Sequence, residues 1–308
     1  MNKLIKYVLI AAIPAALLFL GCDGFQKKQP EQNEGQTGVL KETNHIKAEG
    51  AIEIALADLK IIPERTLENE VYLLTAFDVP DKKTLVFVGN FDRKNRVRFF
   101  DLKTNEITAE LILPETPLDV YTLNGSCYIL GEKSIFVLAD KQIVRTIRHD
   151  IPGVFNFDRL LALDGQLFVS MSDGSAWEVG ETGVRRLKKL PMNGHPLWIQ
   201  KRSPKTFSID LGESKTVSYK SDLMLGSMTI LGALNDNLIC VIEKITGQQP
   251  LVVERAIASS SDDFASDLQT VDSQPYAFLK NDLRLHGNRL CHLILHPDKA
   301  LLVTERIK

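Results

Sequence analysis

Six side chains have the types and spacing to build a polar recognition site: Asp119, Asn156, Asp158, His195, Trp198 and Tyr276. Carboxylates, an amide, an imidazole and two aromatic rings suit a sugar, a peptide or another small polar ligand held against an aromatic face. Asp119, Asp158 and His195 are also the carboxylate–histidine set an enzyme would need for proton transfer or a metal. The chain contains no GxSxG, P-loop, GxGxxG, HExxH or CxxC pattern. Acyl transfer, nucleotide binding, zinc hydrolysis and haem attachment therefore lose their usual signatures, and no catalytic residue, metal ligand or cofactor is assigned.

Other polar and sulfur groups have simpler readings. His286, His292 and His296 cluster near the C-terminus, but His292 and His296 on one face of a strand would stand about 13 Å apart at ~3.3 Å per residue, too far for one metal. Cys240 and Cys291 occupy the same place in two similar runs, NLIC and NRLC. Strands in neighbouring packed sheets lie about 10 Å apart, so buried free thiols are expected rather than a bridge. Arg185, Arg186, Lys188 and Lys189 read as charges that protect an outer strand from edge-to-edge pairing. The acidic stretch Ser259–Gln274 has no calcium-loop pattern and reads as a solvated insertion with a helical turn capped by Ser260 or Ser261.

The six candidate residues come from distant parts of the chain, so the scaffold must bring them together. One pattern recurs: an apolar β-type run, a polar turn, and a second such run. The first members begin at positions 84, 126, 166, 206, 237 and 288, a spacing of roughly 40 residues. Third runs follow at Ile107–Pro114, Ile143–Pro152 and Val184–Pro191. Inner runs precede the hairpins at Val71–Phe77, Leu118–Leu123, Phe155–Leu163 and Pro196–Gln200. Four strands per repeat at this period predict an all-β domain over residues 46–308, a six-bladed β-propeller. Seven blades or a pair of β-sandwiches are the alternatives. Ala51–Ala57 alternates like a strand and could close the last blade, although Ile52, Leu56 and Leu59 also fit a helix. In a propeller, the starts of the inner strands converge on one mouth of the central channel, which is what groups the six candidates.

The stretch VRFFDLKTNEITAELILP (Val97–Pro114) resembles the strand–turn–strand unit of YVTN and WD40-like repeat propellers. In that unit Asp, Thr and Asn side chains satisfy the backbone groups of the turn.

The N-terminal residues imply export. Lys3 and Lys6 precede a run from Tyr7 to Leu20 of fourteen residues that is apolar but for one hydroxyl. That is short of the roughly 20 residues a transmembrane helix needs and has the length of a signal-peptide core. Leu18-Phe19-Leu20-Gly21-Cys22 resembles the bacterial lipobox, which implies removal of residues 1–21 and diacylation of Cys22. Residues 22–45 are polar and would form a tether holding the domain roughly 25 Å from a bilayer. The resemblance implies a lipid anchor on the inner or outer membrane, with the domain facing periplasm or exterior. Its general role resembles that of propeller lipoproteins serving envelope assembly, so the expected partner is a protein or envelope component. A net charge of −2 gives no electrostatic reason to expect nucleic acid.

Overall fold

The computed structural model describes residues 46–61, 76–91, 93–152, 159–171, 175–211, 216–248, 251–260, 265–267, 281–296 and 298–307. Cys22, the tether, Asn156, Asp158 and Tyr276 lie outside them.

Apolar runs broken by polar turns pair as antiparallel strands, and the described residues contain no helix. β1 is Ile46–Ala55. β2 (Ala76–Asp78), β3 (Thr84–Phe91), β4 (Lys94–Asp101) and β5 (Glu106–Ile112) form one sheet in that order. The next comprises β6 (Pro117–Leu123), β7 (Ser126–Gly131), β8 (Ser134–Ala139) and β9 (Gln142–Arg148). The third holds β10 (Arg159–Leu163), β11 (Gln166–Ser170), β12 (Ala176–Val179) and β13 (Val184–Leu187). A two-stranded ribbon, β14 (Pro191–Met192) and β15 (His195–Pro196), precedes a three-stranded sheet. That sheet is β16 (Trp198–Ser203), β17 (Thr206–Asp210) and β18 (Thr216–Lys220). β19 (Met224–Leu234), β20 (Asn237–Gln248), β21 (Leu251–Ser259) and β22 (Ala265–Asp267) form the fifth. β23 (Leu283–His286), β24 (Arg289–Leu295) and β25 (Lys299–Ile307) form the last, to which β1 adds as the outer strand.

Two-residue turns set the hairpin register. Asn124-Gly125 and Asp164-Gly165 both take positive φ at their two positions, the geometry that matches the twist of paired strands. The TNE turn at 101–106 behaves as its residue types require. Asp101 Oδ1 accepts from the amides of Lys103 and Thr104 at 2.7 and 3.0 Å, and Asn105 is left-handed.

The sheets close on themselves through their apolar layers. Val86, Val97 and Ile129, Phe136 join the first sheet to the second. Leu130, Ile135 and Leu160, Val169 join the second to the third. Leu231, Ile257 and Leu283, Leu290 join the fifth to the last. Phe77, Phe87 and Leu293, Leu302 return the last to the first. The molecule is a β-propeller, not a pair of sandwiches.

Ring closure uses both ends of the domain. β1 pairs antiparallel with β25, Ile52 opposite Leu302 and Ile54 opposite Ala300, so the strand alternative for this segment prevails over the helix. Burial of Ile54, Leu56 and Leu59 in the layer against the first sheet explains why. Arg98 then clasps the turn that follows. Its Nη1 donates to the carbonyls of Leu59 and Lys60 at 3.0 Å each, its Nε meets Glu110, and the guanidinium lies 4.3 Å from the Phe91 ring centre.

Two expectations need correction. Part of the stretch Ser259–Gln274 is not a solvated insertion: Ala265–Asp267 pairs with β21 as an edge strand, and Ser260 is buried with its Oγ accepting from Leu238 N. The run Pro196–Gln200 does not supply an inner strand. β10 lies directly against β19, Arg159 Nη1 donating to Ile230 O at 3.2 Å, although residues 191–220 stand between them in sequence. The β16–β18 sheet packs on the fifth sheet instead, Phe207 and Tyr219 against Leu225 and Ile242.

Candidate functional site

Among the described residues, the inner strands β2, β6, β10, β19 and β23 therefore meet around the axis; four of them bring a charged side chain to it, and β19 offers the carbonyl of Ile230. β2 brings Asp78 and β6 brings Asp119; both side chains are wholly buried. β10 brings Arg159 and β23 brings Arg284, both almost wholly buried, together with His286. Buried charge is costly unless paired; Asp119 with Arg284 and Asp78 with His286 are paired, and Arg159 is hydrogen-bonded to neutral acceptors.

Asp119 holds two strands at once. Its Oδ1 accepts from Arg284 Nη2 and its Oδ2 from Leu160 N at 2.6 Å. Arg284 Nε also donates to Phe77 O at 2.8 Å, tying the last sheet to the first. Asp78 accepts from Val79 N at 2.9 Å and Thr122 N at 2.6 Å, and pairs with His286 Nε2. Arg159 reaches Ile230 O, Asn281 Oδ1 and Leu283 O at 3.2–3.4 Å. Burial, and then the neighbouring charge of Arg284, bring the Arg159 pKa down to about 10. With two carboxylates and two guanidiniums, the cluster is neutral apart from the imidazole.

Above this plug lies a depression of about 510 Å³ at the end of the channel where the inner strands turn back. Its rim is made of the hairpin turns Asn124-Gly125, Asp164-Gly165 and Gly287. A Cβ added at Gly125 or Gly165 would meet nothing within 4 Å, so these glycines serve the left-handed turn rather than close packing. Tyr121 and His286 line it, their rings stacked with centres 5.0 Å apart, and Asp78 stands behind the imidazole. Burial and the negative charge of Asp78 push the Tyr121 hydroxyl up to about 12, so it stays a donor, here to Leu285 O at 3.3 Å. Asp81 and Asp164 stand at the rim but cap turns: Asp81 Oδ1 accepts from Lys83 N and Thr84 N, and Asp164 Oδ2 from Asn193 N.

Of the six sequence candidates, Asp119 lies at the axis as one of the ion-paired groups. His195 and Trp198 belong to β15 and β16, which stand off the inner ring, so they are not brought to Asp119. Asn156, Asp158 and Tyr276 are outside the described residues. Sequence reasoning missed Asp78, Arg159 and Arg284, and named His286 only as a member of the C-terminal histidine cluster. Two signals were present: Phe77-Asp78-Val79 repeats the context of Leu118-Asp119-Val120, and Arg159 and Arg284 interrupt apolar runs. A guanidinium inside a core strand requires acceptors around it, a carboxylate for Arg284 and carbonyls and an amide for Arg159.

The remaining histidine and cysteine readings resolve within the core. His292 sits 3.1 Å from Asp282, which Arg255 also engages at 2.8 Å. Cys127, Cys240 and Cys291 are buried free thiols, with Cys240 and Cys291 in different apolar layers. No group of three metal-ligating side chains occurs among the described residues.

No protein-family model and no curated protein matches the chain. Among solved structures, the chain is similar to BamB from Moraxella catarrhalis at 10% identity, covering 85% of this chain and 99% of that one, with a TM-score of 0.42. It is similar to a member of the duf4221 family from Bacteroides vulgatus at 9% identity, with 86% and 99% coverage and a TM-score of 0.46. The Neurospora crassa Pan2 WD40 domain is similar at 9% identity, with 87% and 98% coverage and a TM-score of 0.44. The fold itself rests on the strand pairing and apolar layers above: an all-β propeller.

Proposed function

We propose that this chain is a lipid-anchored envelope lipoprotein, acylated on Cys22, whose propeller is a non-enzymatic binding or scaffold module. One observation carries the reading of the domain: the charged groups nearest the axis are engaged by the inner strands themselves, Arg159 by the carbonyls of Ile230 and Leu283 and the amide of Asn281. Asp119 with Arg284 and Asp78 with His286 hold the inner strands together, which suits a rigid platform for a protein partner or envelope component. The turn-lined depression, where ends of several repeats meet, is the natural place for that partner to insert a polar side chain or loop.

Two experiments test it. Growth with an alkyne-tagged fatty acid should label the wild-type chain and leave Cys22→Ala unlabelled; label retained on the variant would refute the anchor. A photo-crosslinking residue at position 124 on the rim should capture a defined envelope partner that the same probe at position 220 does not.

A second reading, an exported lactonase- or lyase-like enzyme, is supported by His286 at the floor of the depression with the buried carboxylate of Asp78 behind it. It requires turnover of an ester, lactone or polysaccharide that His286→Gln abolishes without loss of fold.

A further inference from the structure

Charge is distributed very unevenly along this chain. Between Glu181 and Asp210 it carries seven lysines and arginines and no carboxylate, +7 in a molecule of net −2, which leaves −9 on the remainder. Those residues span the outer strand β13, the β14–β15 ribbon and β16, the elements that the inner ring leaves outside. The two halves of the stretch meet in space: Lys189 Nζ, just beyond β13, lies 5.0 Å from the ring centre of Trp198 at the start of β16. Trp198 is 44% exposed, the one tryptophan at the surface, since Trp177 is buried.

The β16–β18 sheet shows two faces of opposite character. Ile199, Ile209, Phe207, Val217 and Tyr219 turn inward toward the fifth sheet. The opposite face carries Trp198, Gln200, Thr216, Ser218 and Lys220, all exposed, with Ser208 and Asp210 between them. Lys188, next to Lys189 in the chain, and Arg202 on β16 are exposed.

We infer that the basic segment 185–205, with Lys189 beside the exposed Trp198, docks on an anionic phospholipid surface. The chemistry favours a bilayer over other polyanions. An exposed indole gains from the headgroup boundary, where its apolar body and its N–H are both satisfied. Lysine and arginine stems lie along apolar material while their heads stay among phosphates. The acidic remainder of the molecule is repelled by the same surface, so the field also orients the domain. This docking goes beyond the proposed lipid anchor and does not rest on it.

The test uses the chain from Asp23 to Lys308, which keeps every described strand and lacks Cys22. It is floated with vesicles of phosphatidylcholine alone or mixed with phosphatidylglycerol. Binding should appear only on the anionic vesicles, with a blue shift of tryptophan emission that Trp198→Phe removes. Each cation near such a surface contributes about fivefold, so Lys188→Gln/Lys189→Gln should weaken binding about thirtyfold. Lys82→Gln/Lys83→Gln, the same change of net charge at another exposed site, should leave it within about twofold. Absence of binding to the anionic vesicles, or equal loss from the two lysine pairs, overturns the proposal. So does binding to heparin without binding to vesicles, which would identify a polysaccharide site.

Discussion

Replacing Arg284 by methionine removes the guanidinium from the axial cluster while keeping a side chain of similar length. The Arg284–Asp119 pair is 2% and 0% exposed, so no solvent is available to take over the carboxylate. Breaking a buried pair by removing one partner costs about 3–5 kcal/mol. Phe77 O also loses its donor, about 1 kcal/mol more. An offset comes from Arg159, which is relieved of the neighbouring positive charge. The net loss should fall at about 3–5 kcal/mol, a large part of the roughly 5–15 kcal/mol that a folded domain has. Urea unfolding curves extrapolated to water would measure it. Arg306→Met is the internal comparison, because Arg306 and Glu49 are 51% and 26% exposed and such a pair contributes at most about 1 kcal/mol. Removing both partners of the pair with Arg284→Met/Asp119→Leu should recover part of the loss, short of the bond to Leu160 N. If Arg284→Met costs no more than Arg306→Met, the axial cluster does not hold the ring and the scaffold argument fails with it.

Arg98→Met should release the turn after β1, since both carbonyl bonds and the contact with Phe91 are lost; limited proteolysis should then cut at residues 56–61 at low protease levels that spare wild type. Burial pushes the Asp282 carboxyl up, but hydrogen bonds from His292 and Arg255 outweigh it and hold the group well below the usual carboxylate range. A depressed folded pKa stabilises above the unfolded value near 4 and loses that contribution as pH falls through the folded one. Acid unfolding of His292→Gln should accordingly begin at higher pH than in wild type, and superimposable acid transitions would exclude the bond. Burial pushes the Cys240 and Cys291 thiols up to about 12 and about 11, so neither should react with iodoacetamide at pH 8 until denaturant is added.

The hairpins were legible because their signals are local. Thr84–Phe91 and the strands beginning at Ser126, Gln166, Thr206, Asn237 and Leu251 lie where apolar runs and polar turns put them. The TNE turn and the Asn-Gly and Asp-Gly corners follow from the few residue types that tolerate their backbone angles. The even spacing of those hairpins carried the fold class, since repeats that bury both faces can stack only on one another.

What the local pattern could not decide was which strands reach the axis. Pro196–Gln200 and the run at Met224–Leu234 are both extended, yet only the second became an inner strand. The choice depends on how neighbouring sheets pack and on where Arg159 finds acceptors, contacts made across more than 70 residues of chain. The same holds for the site. Asp119 could be named from its residue type, but its partner Arg284 lies 165 positions away and only closure of the ring brings them together. Residue types and turns determined the repeating strands; the burial of charge at a shared axis, a property of the closed ring alone, decided what those residues do.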